Sequence, residues 1–96
     1  MRTMAKISIP VEAGNKGITS GELPKLIQGI AERFKPEAMY FTTFDGRRTA
    51  FIVFDMADAS AIPTFAEPLF MGLNAEVQFS PVMNSDDLQK GLSSLG

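Results

Sequence analysis

The chain contains neither histidine nor cysteine, and this removes most familiar chemistry. Histidine is the ordinary general base near neutral pH and the commonest metal ligand. Without it no serine has a triad partner. Without cysteine there is no thiolate nucleophile and no disulfide. No transition metal and no cofactor is therefore expected. The chemistry left belongs to oxygen, ammonium and a single phenol. Tyr40 is the only tyrosine, and its hydroxyl can position or protonate an oxygen of a ligand. Lys6, if it lies near across a sheet, would lower the phenol pKa. The simpler role for Tyr40 is an interface aromatic with its hydroxyl at the rim.

The remaining polar clusters read as structural. Asp86-Asp87 beside Ser85 supplies negative charge to a helix N-terminus. Asp55 and Asp58 flank a strand-to-helix turn, where aspartate caps. Two carboxylates without histidine make a poor transition-metal site. The segment Gly14-Asn15-Lys16-Gly17-Ile18-Thr19-Ser20-Gly21 could hold an anion on its backbone N–H groups before a helix. It lacks the Gly-Lys-Ser/Thr ending of a phosphate loop. Read from its three glycines, Glu12–Gly21 is a mobile β-to-α connection.

The elements that must position these groups follow from periodicity. Ala5, Ile7, Ile9 and Val11 alternate with Lys6, Ser8 and Pro10, a half-buried strand. Leu23, Leu26, Ile27, Ile30, Ala31 and Phe34 form a helical stripe. Thr19 and Glu22 have capping-box spacing, and Pro36 ends the helix near Lys35. Ala38–Phe44 and Thr49–Phe54 flank Asp45-Gly46, the signature of a two-residue type I′ hairpin. That turn pairs Phe44 with Arg47, Thr42 with Thr49, and Tyr40 with Phe51. A second helix carries Ile62, Phe65, Ala66, Leu69 and Phe70, with a kink or break expected at Pro68 and a stop at Gly72. Ala75–Ser80 alternates as a last strand. Ser85 can cap a short terminal helix bearing Leu88, Leu92 and Leu95.

The order β-α-β-β-α-β gives an α+β fold, a ferredoxin-like sandwich. It has a four-stranded antiparallel sheet with two helices on one face. Residues 1–83 form this domain, and 84–96 a C-terminal tail or short helix. Parity turns Ile7, Ile9, Met39, Phe41, Ala50, Ile52, Phe54, Val77 and Phe79 toward the helices. The open face then carries Lys6, Ser8, Thr42, Thr49, Glu76 and Gln78 beside Tyr40, Phe51 and Val53. Large apolar groups on a face left to water call for a partner or a ligand.

The length of 96 residues suits one domain, and Leu, Ile, Val and Phe supply 26 of them, too many for disorder at a net charge of −2. No segment is apolar enough to cross a membrane and no export signal opens the chain, so a cytoplasmic protein without membrane partners is expected. Residues 1–48 carry eight basic and five acidic groups, and residues 49–96 carry Lys90 against six acids. Two complementary parts of one domain or dimer explain that asymmetry. Nucleic-acid binding is disfavoured. Arg47 to Phe54 partly tracks the third-strand motif of RNA-recognition modules. However, Thr49 and Ser8 stand where two stacking aromatics belong, and each is worth about 1–3 kcal/mol.

Met39-Tyr40-Phe41-Thr42, Asp45-Gly46, Phe51-Ile52-Val53-Phe54-Asp55 and Leu73-Asn74-Ala75-Glu76-Val77 running to Pro81-Val82 resemble the dimeric α+β barrel superfamily. They are similar in particular to its small GYD-type and related uncharacterised bacterial families. The resemblance covers most of residues 4–83 and implies homodimers with sheets packed face to face. Some relatives are cofactor-free oxygenases or isomerases. The leading expectation is a homodimer, with Tyr40, Phe51, Val53 and Glu76 at its interface, that binds a small, partly apolar molecule or serves as an assembly module. Ligand contacts are expected from Lys6, Tyr40, Thr42, Thr49, Phe51 and Gln78. The alternative is a cofactor-independent oxygenase or isomerase with a Tyr40/Lys6 pocket. The polar residues that such oxygenases favour are mostly missing from the strand centres, which argues against it.

Overall fold

A computed structural model describes all 96 residues. Strand β1 (Arg2–Ile9) leads into helices α1 (Val11–Ser20) and α2 (Glu22–Phe34). The hairpin β2 (Ala38–Phe44) and β3 (Arg47–Asp55) follows, then α3 (Ala61–Leu73), β4 (Glu76–Pro81) and α4 (Ser85–Ser93). The strands form one antiparallel sheet in the order β2-β3-β1-β4. This α+β arrangement is compatible with a ferredoxin-like sandwich. No helix is long and apolar enough to cross a membrane.

The hairpin forms in the register its turn demands, with Phe44 opposite Arg47, Thr42 opposite Thr49 and Tyr40 opposite Phe51. Asp45 and Gly46 both take positive φ, 54° and 75°, as a type I′ turn requires. The alternation expected of β1 also holds. Ala5, Ile7 and Ile9 are buried with Ala50, Ile52 and Phe54, and helices cover them. Phe54 stacks on Phe65 with centroids 4.8 Å apart, and Phe34 and Phe79 meet those rings edge-on or tilted. Aromatic pairs of this kind stabilise by about 0.5–1.5 kcal/mol beyond the area they bury.

Several expectations need correction. Glu12–Gly21 is not a loop but helix α1, so the helical layer has three helices rather than two. Its glycines permit close packing instead of mobility. A Cβ on Gly17 would come within 2.7 Å of a Leu73 methyl and 3.1 Å of Leu23 Cβ. Gly14 lies against Ile9 and Arg48, and its N–H donates to Pro10 O at 2.8 Å. With that donor committed to the helix, Gly14 does not contribute to an anion cradle. Gly21, in the left-handed region at φ 84°, joins α1 to α2. Ser20 Oγ, not Thr19, accepts from the Glu22 N–H, and Thr19 Oγ1 donates back to Asn15 O. Helix α3 runs through Pro68 without a break and ends past Gly72, at Asn74, whose φ is 51°. Gly72 instead allows α3 to approach Leu26 of α2, where a Cβ would sit 2.9 Å from a methyl. Helix α4 is capped by Asn84 rather than Ser85, in a reciprocal box with Asp87.

Candidate functional site: the open sheet face

The face of the sheet away from the helices presents two polar-and-aromatic rows. Strand pairing aligns Tyr40, Phe51, Lys6 and Gln78 in one, and Thr42, Thr49, Ser8 and Glu76 in the next. Side chains of alternate residues share a face, so Phe44 and Arg47 belong here too. Phe44 and Phe51 lie on either side of Thr49 and meet edge-to-face, their centroids 5.9 Å apart at 78°. The Lys6 ammonium sits over the Phe44 ring, 4.1 Å from its centroid, within reach of the ring quadrupole.

Beside this cluster is a depression of about 370 Å³ lined by Lys6, Ser8, Phe44, Arg47, Glu76 and Gln78, with Asp45 of the turn at its edge. Arg47 Nη1 donates to Glu76 Oε2 at 3.4 Å, both side chains reaching water. Solvent screening leaves such an exposed pair worth at most about 1 kcal/mol. With Arg47 and Glu76 paired, the ammonium of Lys6 is the cation here that has no carboxylate partner. The depression thus offers a cation, an aromatic ring, a hydroxyl and an amide, with the Asp45 carboxylate, which is in no ion pair, also in its lining. That set can hold a small anion attached to an apolar body.

The sequence-derived site residues separate into three groups. Lys6 and Gln78 line the depression, and Phe51 backs it through Phe44. Tyr40, Thr42 and Val53 share the face without lining it, Tyr40 being 70% exposed on the edge strand. Phe51 stands between Tyr40 and Lys6 in their row, so within one chain these two form no pocket. Thr49 is 3% exposed. Covered by the Phe44–Phe51 pair, its hydroxyl donates to Arg47 O at 3.1 Å, and it is part of the floor rather than a ligand contact. Glu76 takes Arg47 as its partner and not Lys6. The residues missed were Phe44, Arg47 and Ser8 as a lining set. The parity that placed Thr42 on this face places Phe44 there as well.

The acids singled out from the sequence have local duties. Asp58 accepts from the Ser60 N–H at 2.7 Å and from its hydroxyl, and these bonds hold the carboxyl below its ordinary pKa. Asp55 accepts from the terminal amine of Met1 at 2.6 Å. Asp87 caps α4 and pairs with Arg2 at 3.3 Å. Arg2 also pairs with Glu37 at 2.6 Å, and the Glu37 hydrogen bond raises the guanidinium above its ordinary value. No group of three or more acidic side chains converges as a metal site.

No protein-family model, curated protein or solved structure matches this chain.

Proposed function

We propose that two copies of this chain pair through their open sheet faces, in the manner of a dimeric α+β barrel, and enclose a binding site for a small, partly apolar molecule. The carrying observation is the uncovered aromatic cluster of Phe44 and Phe51, with Tyr40 beside it. Its apolar area would be removed from water by a second sheet at about 25 cal/mol per Å². A packed sheet would also turn the neighbouring depression into an interior cavity. There the Lys6 ammonium, drier than at an open surface, would select an anionic group. Arg47 and Glu76 neutralise each other within one chain, which leaves the Lys6 ammonium as the cation that an anionic ligand would have to neutralise on burial.

Light scattering on a sizing column tests the assembly. The wild type is expected near twice 10.4 kDa, and Phe51→Glu, which places a carboxylate in the middle of the face, is expected near the monomer mass. A monomeric wild type at micromolar concentration overturns the proposal. So does a folded, dimeric Phe51→Glu.

A further inference from the structure

Strand β2 is the unguarded edge of the sheet. Its residues, Ala38–Phe44, include no charge and no proline, whereas the other edge strand, β4, carries Glu76 and ends in Pro81. Charge and proline are what keep a further strand from adding to an edge. The turn decides which backbone groups of β2 are open. A two-residue hairpin closes on a hydrogen-bonded pair, here Phe44 and Arg47, and such pairs alternate along an antiparallel ladder. Tyr40 and Thr42 therefore bond to β3, while the N–H and C=O groups of Met39, Phe41 and Thr43 point away from the sheet.

Side chains complete the site. Phe41 lies on the helix side of the sheet yet is 58% exposed, because no helix packs fully over β2. It borders an apolar hollow of about 210 Å³ with Leu23 and Ile27 of α2, Ile9 and Ala50. An added strand sends alternate side chains to this side, and the hollow has room for one branched or aromatic side chain. Charge decides between occupants. A second copy paired antiparallel about Phe41, the midpoint of β2, would set Glu37 against Asp45 of that copy at both ends. Like charges directly opposite are destabilising. Glu37 is already held by Arg2, and Asp45 is the acid at this edge without a partner. A strand that brings a lysine or arginine to Asp45 is favoured where a second copy is not.

We propose that β2 accepts an extended segment of another protein as a fifth strand, apolar at alternate positions and basic where it passes Asp45. Main-chain hydrogen bonds supply affinity and the hollow beside Phe41 supplies selectivity. Stacking two sheets face to face leaves their hydrogen-bonding edges unpaired, so this contact stands or falls separately from the dimer.

The probes are three blocked peptides, Lys-Thr-Val-Thr-X-Thr-Val-Thr-Lys with valine, leucine or phenylalanine at X, added to the full-length nitrogen-15 protein. Amide exchange is read by NMR. In the free protein the amides of Met39, Phe41 and Thr43 are expected to exchange fast, and those of Tyr40 and Thr42 slowly. At least one peptide is expected to slow the first three by about tenfold or more, and its copy N-methylated along the pairing side is expected not to. Peptides with glutamate at both ends are expected to bind about two- to fivefold more weakly at low salt. Asp45→Asn, which tolerates the positive φ of the turn, is expected to shrink that difference. No slowing by any of the three at millimolar concentration overturns the proposal, as does equal binding of the N-methylated or the glutamate-ended peptides. Met39, Phe41 and Thr43 amides that are already slow in the free protein, and quicken on dilution, overturn it also, by giving the edge to a second copy.

Discussion

Phe44 shows how much a single side chain can organise on this surface. It is 43% exposed, yet it meets Phe51, covers Thr49 and carries the Lys6 ammonium over its ring. Removing it exposes a threonine and leaves the ammonium without its ring. Phe44→Ala is expected to cost about 1–2 kcal/mol in chemical denaturation. Lys6→Met, which keeps the aliphatic stem, is expected to cost less than about 1 kcal/mol. Asp58 makes a prediction in pH. Its folded pKa lies below the unfolded one, so its contribution is complete above the ordinary aspartate value. That contribution is lost as pH falls through the lower folded value. Asp58→Asn is therefore expected to be less stable than wild type at neutral pH, with the gap closing on acidification through that range, as read by thermal unfolding. A gap that is unchanged at low pH would show that the carboxylate charge plays no part.

Elements built on strong periodicity were legible from residues alone. The alternation of Ile7 and Ile9 with Lys6 and Ser8 fixed the facing of β1, and Asp45-Gly46 fixed the hairpin register through its need for positive φ. The three-glycine stretch before α2 was misread, because glycine signals a turn only when nothing requires a close approach. Gly17 is needed against Leu73 and Leu23, a tertiary contact invisible to local pattern. Gly17→Val is thus expected to destabilise the fold by about 1–3 kcal/mol through overpacking, whereas Gly91→Ala, in open space, is expected to stabilise α4 by up to about 1 kcal/mol. Amide exchange gives a second check, with Gly17 expected to be protected as part of a packed helix. Exchange there at the rate of an unfolded chain would contradict the packing. Arg47 and Arg48 belong to the interior strand β3 and cannot blunt an edge. The outer strand β2, Ala38–Phe44, carries neither charge nor proline, and only β4 ends in a proline, Pro81.

At the scale of the whole molecule the chain is a helix-backed sheet with one face uncovered and one helix standing off the body. The sheet face was legible because parity needs only the strand sequences. The depression beside Phe44 was not, because it depends on which cation pairs with Glu76, and that cation is Arg47, from β3, rather than Lys6. The central claim is that this face is an interface between two copies, and Tyr40 reports on it directly. The chain has one tyrosine and no tryptophan, so its intrinsic fluorescence comes from Tyr40 alone. Acrylamide quenching measured across a dilution series is the decisive measurement. Shielded emission at high concentration is expected, rising on dilution to the accessibility of a side chain 70% exposed. A protein that runs at twice the monomer mass while Tyr40 stays fully quenchable would contradict pairing through the open face.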